Sequence, residues 1–216
     1  MYGTIPGIVG YMDDENPTLA SPFSPFILQF YQTVDSLNNI EDYRQFLKNV
    51  ESAFRLSREY KAIKSRLIES GMSNCQIHGN LNAEMVTVEM HHNMLTLFDL
   101  AMIITEHMVR TVGKVSSFDV VRLLTEAHYN NEVLLVMLSK TPHQMYHNNS
   151  EFFLPFSMCI GEPWKFLEKY KYGITQDIAY KILRYLRQEE KNDGKINDQG
   201  LLNIRDNILS WSKLME

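Results

Sequence analysis

Apolar residues recur from Phe26 at the spacing of a helix, with a break at Asn38 and Asn39. Tyr43, Leu47, Val50 and Phe54 then mark a single helix face at i, i+4, i+7 and i+11, and predict a long helix from about Glu41 to Ser70, stopped by Gly71. At Met85 the period changes. Val86, Val88 and Met90 alternate with Thr87, Glu89 and His91, the pattern of a strand with one apolar face, ending at His91-His92. Two helices should follow, one opened by Thr96 with Asp99 three residues on and closed near Gly113, the next opened by Ser116 with Asp119; both starts read as capping boxes.

Val133 to Leu138 is a continuous apolar run of strand length and predicts a buried strand, with Glu151 to Leu154 as a third candidate. After the run, Thr141 is placed as an N-cap with Pro142 at the first helical position, where its missing N–H costs nothing. The remainder reads as helices over Pro163–Tyr172, Thr175 to about Glu190 and Asp198–Leu214, punctuated by Gly173 and the Lys191-Asn192-Asp193-Gly194 turn. The expected organisation is an extended N-terminal arm over 1–25, N-terminal helices over 26–74, a central core over 75–160 and C-terminal helices over 161–216. The fold class is α+β, predominantly helical, with a small stranded centre, a helical insertion within it and helical flanks.

Composition narrows the possibilities. A chain of 216 residues that is 44% hydrophobic can bury a core, and its net charge of −5 excludes a global positive field drawing it onto nucleic acid or an anionic membrane. Binding to DNA has to use a local patch. The long helix offers one, since between its ends Arg44, Lys48, Arg55, Arg58, Lys61, Lys64 and Arg66 stand against Glu51 and Glu59, with Arg55, Arg58, Lys61 and Lys64 as its candidate phosphate contacts. A smaller excess comes from Lys165, Lys169, Lys171, Lys181, Arg184 and Arg187 against Glu168 and Asp177. Cys75 and Cys159 stand alone, with no CxxC pair, so neither a cysteine zinc ribbon nor a disulfide framework is expected, and a reducing compartment fits. No secretory signal is read at the N-terminus. The most apolar run, Leu95 to Ile104, is interrupted by Asp99 and is short of the ~20 residues that span a bilayer. A soluble, cytoplasmic protein without a membrane partner is the expectation.

The candidate chemistry lies in four of the seven histidines: adjacent His91 and His92 at a strand end, and His143 with His147, whose i, i+4 spacing puts both on one face of a short helix. The order of Val88-Glu89-Met90-His91-His92, a buried strand, and then Leu138-Ser139-Lys140-Thr141-Pro142-His143-Gln144-Met145-Tyr146-His147 resembles the HNH, or ββα-metal (His-Me finger), nucleases, in particular HNH-type proteins encoded by bacteriophages. The resemblance covers roughly Met85 to Leu154. It implies that His92 is the general base, that His91, His143 and His147 ligate one divalent metal ion (Mg, Mn, Zn or Ni), and that the protein is a metal-dependent DNA endonuclease or nickase. Glu89 is placed as an outer acceptor for a ligand histidine. The family's middle Asn falls at Leu134, so Asn130 and Asn131 become the candidates to orient the base. His92 and His143 lie 51 positions apart, much further than in small family members. His78, His107 and His128 match no family position and are read as structural or exposed, and Phe152, Phe153 and Trp164 as core. The alternative is a catalytically inactive derivative, a nucleic-acid-binding or phage virion or assembly protein. Its location would be the host cytoplasm or the virion, and its N-terminal arm could meet a phage or host protein.

Overall fold

The computed structural model describes residues 32–33, 37, 39–79, 86–148, 152–193, 196 and 198–213. The arm expected over 1–25 and the helical pattern expected to begin at Phe26 lie outside the described residues up to 31. The predicted long helix is two helices, α1 (Ile40–Leu56) and α2 (Arg58–Glu69). Ser57 separates them: its hydroxyl donates to the Phe54 carbonyl at 2.6 Å and accepts from the Tyr60 N–H at 3.0 Å, capping the end of one helix and the start of the next. A serine hydroxyl can compete with the helical ladder in this way, while the apolar period carries on across the break and conceals it. Gly71, at φ +97°, ends α2 as expected.

Strand β2 (Val88–His92) pairs antiparallel with a later strand, Leu135–Ser139, in the register Val88↔Ser139, Met90↔Met137 and His92↔Leu135. Between them lies the expected helical insertion. Helix α3 (Leu97–Val112) starts with a reciprocal capping box, in which the Asp99 carboxylate accepts from the Thr96 N–H at 2.7 Å, and stops at left-handed Gly113. Helix α4 (Ser117–Tyr129) is capped by Ser116, whose side chain accepts from the Asp119 N–H. Two minimal strands, β1 (Gln32–Thr33) and β3 (Lys114–Val115), form a second antiparallel ladder beside this insertion. Numbered in chain order, Leu135–Ser139 is β4, and α5 (Lys140–Asn148) leaves it without a loop. The helix thus begins at Lys140, ahead of the expected Thr141 cap.

No third strand forms over residues 152–154; the edge of β4 instead meets Ile160 in a single bridge, with both Leu135 and Ile160 donating at 2.8 Å. Helices α6 (Pro163–Lys169), α7 (Gln176–Asp193) and α8 (Gln199–Ser212) follow, with Pro163 at the first turn of α6 and Asp198 capping α8. Phe54, Ile103, Ile104, Leu124, Met137, Phe166, Ile174 and Ile204, drawn from every segment, belong to one buried cluster. The turn at Gly173 passes so close to the backbone of Ile103 and His107 in α3 that a Cβ there would collide with it. Among the described residues no helix is long and apolar enough to cross a membrane.

Candidate functional site

Side chains alternate along β2, so Glu89 and His91 share one face and Met90 and His92 the other. Because α5 springs directly from β4, it lays His143 and Tyr146, three residues apart, over the Glu89–His91 face. The His143 Nδ1 lies 2.5 Å from the Glu89 Oε2. The His91 ring stands edge-on to His143, with centroids 4.9 Å apart, and to Tyr146, at 4.4 Å. The strand–strand–helix order therefore brings together Glu89, His91 and His143. His147 follows within α5, but its side chain is outside the described residues. Among the described residues no three His, Cys, Asp or Glu side chains are placed to hold one metal ion; the Glu89 carboxylate does meet the Nδ1 of His143, as an outer acceptor for a ligand histidine would.

His92 does not join this cluster. It faces the opposite side of the strand, into the core, where its Nε2 lies 2.8 Å from the Nε2 of His128 in α4. The tautomers follow from the far end of the pair: the His128 Nδ1 is 2.6 Å from the Leu124 carbonyl, which can only accept, so that nitrogen carries the hydrogen. The His128 Nε2 is then the acceptor and the His92 Nε2–H the donor. Burial holds both rings neutral, lowering His128 to about 4; His92 lies well below the ordinary histidine range, through burial first and then the cost of a second charge beside His128 and near Arg55. The expected base thus sits in a buried histidine pair, separated from His91 and His143 by the sheet itself. Asn130 and Asn131, the candidates to orient it, are both exposed at the end of α4 and make no hydrogen bond with His92; the Asn130 amide instead reaches Glu132 at 3.4 Å. His128 also lines a cleft of about 530 Å³ bordered by Arg66, Asn131 and Lys165, with both its ring nitrogens already engaged.

The residue that sequence reasoning passed over is Asn93, immediately after the histidine pair and almost wholly buried. Its amide nitrogen reaches the Leu154 carbonyl at 2.9 Å, the Cys159 Sγ at 3.1 Å and the Tyr185 hydroxyl at 3.2 Å, while its Oδ1 accepts from the Tyr146 hydroxyl at 3.2 Å. Its backbone N–H donates to the Leu134 carbonyl at 3.0 Å. Burial pushes the Cys159 thiol up to about 12, which keeps this network uncharged. Below it, the buried carboxylate of Glu189 accepts from the Phe156 N–H with both oxygens, at 3.1 and 3.0 Å. The only sequence signal for Asn93 was its adjacency to two histidines.

The basic candidates are also divided. Arg55 closes α1 in an ion pair with Glu51 at 2.9 Å, whereas Arg58, Lys61 and Lys64 lie beyond the Ser57 break on α2.

Against this geometry, the family model of the bacteriophage G278-like virion proteins matches residues 10–213. The chain belongs to that family. No curated protein and no solved structure matches it. Membership shows the phage origin that the resemblance implied, and the matching family is one of virion proteins rather than HNH nucleases.

Proposed function

We propose that this G278-like virion protein is a structural part of the phage particle, working through its surfaces rather than through a catalytic centre. The observation that carries this reading is the family match over nearly the whole chain, residues 10–213. The internal geometry supports it: His92, His128 and Asn93 are spent on one another and on the core, as residues that fix strands and helices in place are. The test is peptide mass spectrometry on gradient-purified particles of the encoding phage. The chain should be present at a fixed copy number per particle; its confinement to the lysate, with none in particles, overturns the proposal.

A second reading keeps the metal-dependent DNA endonuclease, favoured by the meeting of Glu89, His91 and His143 where β2, β4 and α5 join. His91, His143 and His147 would hold the ion, with Glu89 behind His143, and the ion would polarise a phosphate; the base would have to be a group other than His92. Plasmid incubated with the purified chain and Mg²⁺, Mn²⁺, Zn²⁺ or Ni²⁺ separates the readings. Intact supercoiled plasmid is the expected result. Nicking that disappears in His91→Ala and His143→Ala would replace the structural reading with the catalytic one.

A further inference from the structure

A cleft of about 210 Å³ opens where α5 and α7 approach the segment at 152–153. Tyr146, Phe152, Phe153 and Tyr185 form its aromatic wall, and Met94 closes one side with its backbone held at φ +61°. Both tyrosine hydroxyls are turned inward onto the Asn93 network, so the rings present their apolar surfaces to the cleft. Lys181, Arg184 and Gln188 sit at i, i+3 and i+7 of α7 and supply its polar edge. Lys181 is already neutralised by Asp99. Arg184 is exposed, and among the described residues no carboxylate pairs with it. The cleft therefore offers an apolar seat, one positive charge that no carboxylate among the described residues pairs with, and a neighbouring amide.

We infer that this cleft is a docking site for a peptide segment of another virion protein, taking an aromatic side chain between Tyr146 and Tyr185 and a nearby carboxylate on Arg184. Size and charge select this occupant. Small-molecule and cofactor sites usually enclose ~300–1,000 Å³, so the volume here suits a single large side chain. A nucleic-acid strand brings a charge at every phosphate and needs a track of cations along its path, whereas of the two cations that line this cleft among the described residues one is already paired with Asp99. An aromatic anchor whose carboxylate meets an arginine is a common arrangement at protein interfaces. The inference rests on the virion reading for the kind of partner alone; the cleft's chemistry stands on the residues that line it.

The test follows the Met94 methyl resonance of the purified, methyl-labelled chain during titration with N-acetyl-L-phenylalanine, which carries the ring and the carboxylate together. A saturable shift is expected. Affinity should fall about fivefold for the neutral N-acetyl-L-phenylalanine amide, and by a similar factor for the free acid with Arg184→Gln, the scale of an exposed ion pair. Gln188→Glu, which sets a negative charge at the same edge, should weaken the acid and spare the amide. Both substitutions lie on the surface of α7, and an unchanged circular dichroism spectrum confirms that the fold is kept. The inference is overturned by the absence of a saturable shift, by equal affinity for acid and amide, or by a ten-nucleotide oligo(dT) that binds through Met94 and Arg184 more tightly than the acid. None of these outcomes depends on whether the chain is found in particles.

Discussion

The buried His92–His128 pair makes the protein's stability depend on pH in a direction that can be worked out. Both imidazoles are neutral in the folded chain, because burial disfavours their charged forms. In the unfolded chain each regains a pKa near 6.5. Below that pH the unfolded state binds protons that the folded state refuses, so folding stability falls as pH falls and levels off only below the folded pKa. For His128 the window runs from 6.5 down to about 4. At about 1.36 kcal/mol per unit this removes roughly 3 kcal/mol, and His92, shifted in the same direction, adds to the loss. Typical domains have only about 5–15 kcal/mol in hand. Urea unfolding followed by circular dichroism at pH 7.5, 6.5, 5.5 and 4.5 should show a midpoint that is steady above pH 7 and drops steadily below 6.5. In the folded chain, the ring resonances of His128 should not titrate above pH 5, and those of His92 should not titrate near 6.5. A flat midpoint between pH 7.5 and 5, or either ring titrating near 6.5 in the folded state, would refute the argument. The double variant His92→Leu/His128→Leu should lose most of this slope, and if it fails to fold, the ring resonances of the parent decide the matter.

Two further outcomes follow from single residues. Asn93→Leu removes the amide that joins the Leu154 carbonyl, the Cys159 thiol and the Tyr146 and Tyr185 hydroxyls, leaving the Tyr185 hydroxyl its bond to the Leu154 carbonyl, and should cost about 2 kcal/mol; a loss under about 0.5 kcal/mol in the urea midpoint would show that the network does not hold the core. Ser57→Ala removes the hydroxyl that caps both α1 and α2 and should destabilise by about 1 kcal/mol with helical content unchanged; a neutral or stabilising result would mean that packing, rather than the hydroxyl, sets the break.

What the sequence determined by itself is what residues within about four positions of each other decide. Thr96 with Asp99, Ser116 with Asp119, Gly71 and Gly113 start and stop helices through hydrogen bonds to their own neighbours, and each acts where its pattern placed it. The alternation of Val88 and Met90 with Glu89 and His91 marked β2 in the same local way, and the apolar run before Lys140 marked β4. The grouping of Glu89, His91 and His143 was suggested only by the resemblance to ββα-metal nucleases; the immediate passage from β4 into α5 is what sets the helix over that face. The tertiary structure alone decided which distant groups complete each pair. His92 finds its partner 36 positions away in His128, and the Asn93 amide gathers groups from Tyr146, Leu154, Cys159 and Tyr185. The alternation of β2 already puts His92 on the apolar face with Val88 and Met90, but nothing in the sequence says which group meets it there. The difference between a base that can take a proton and a ring kept neutral lies in the desolvation and hydrogen bonding that packing imposes, and neither is encoded in the residues beside it.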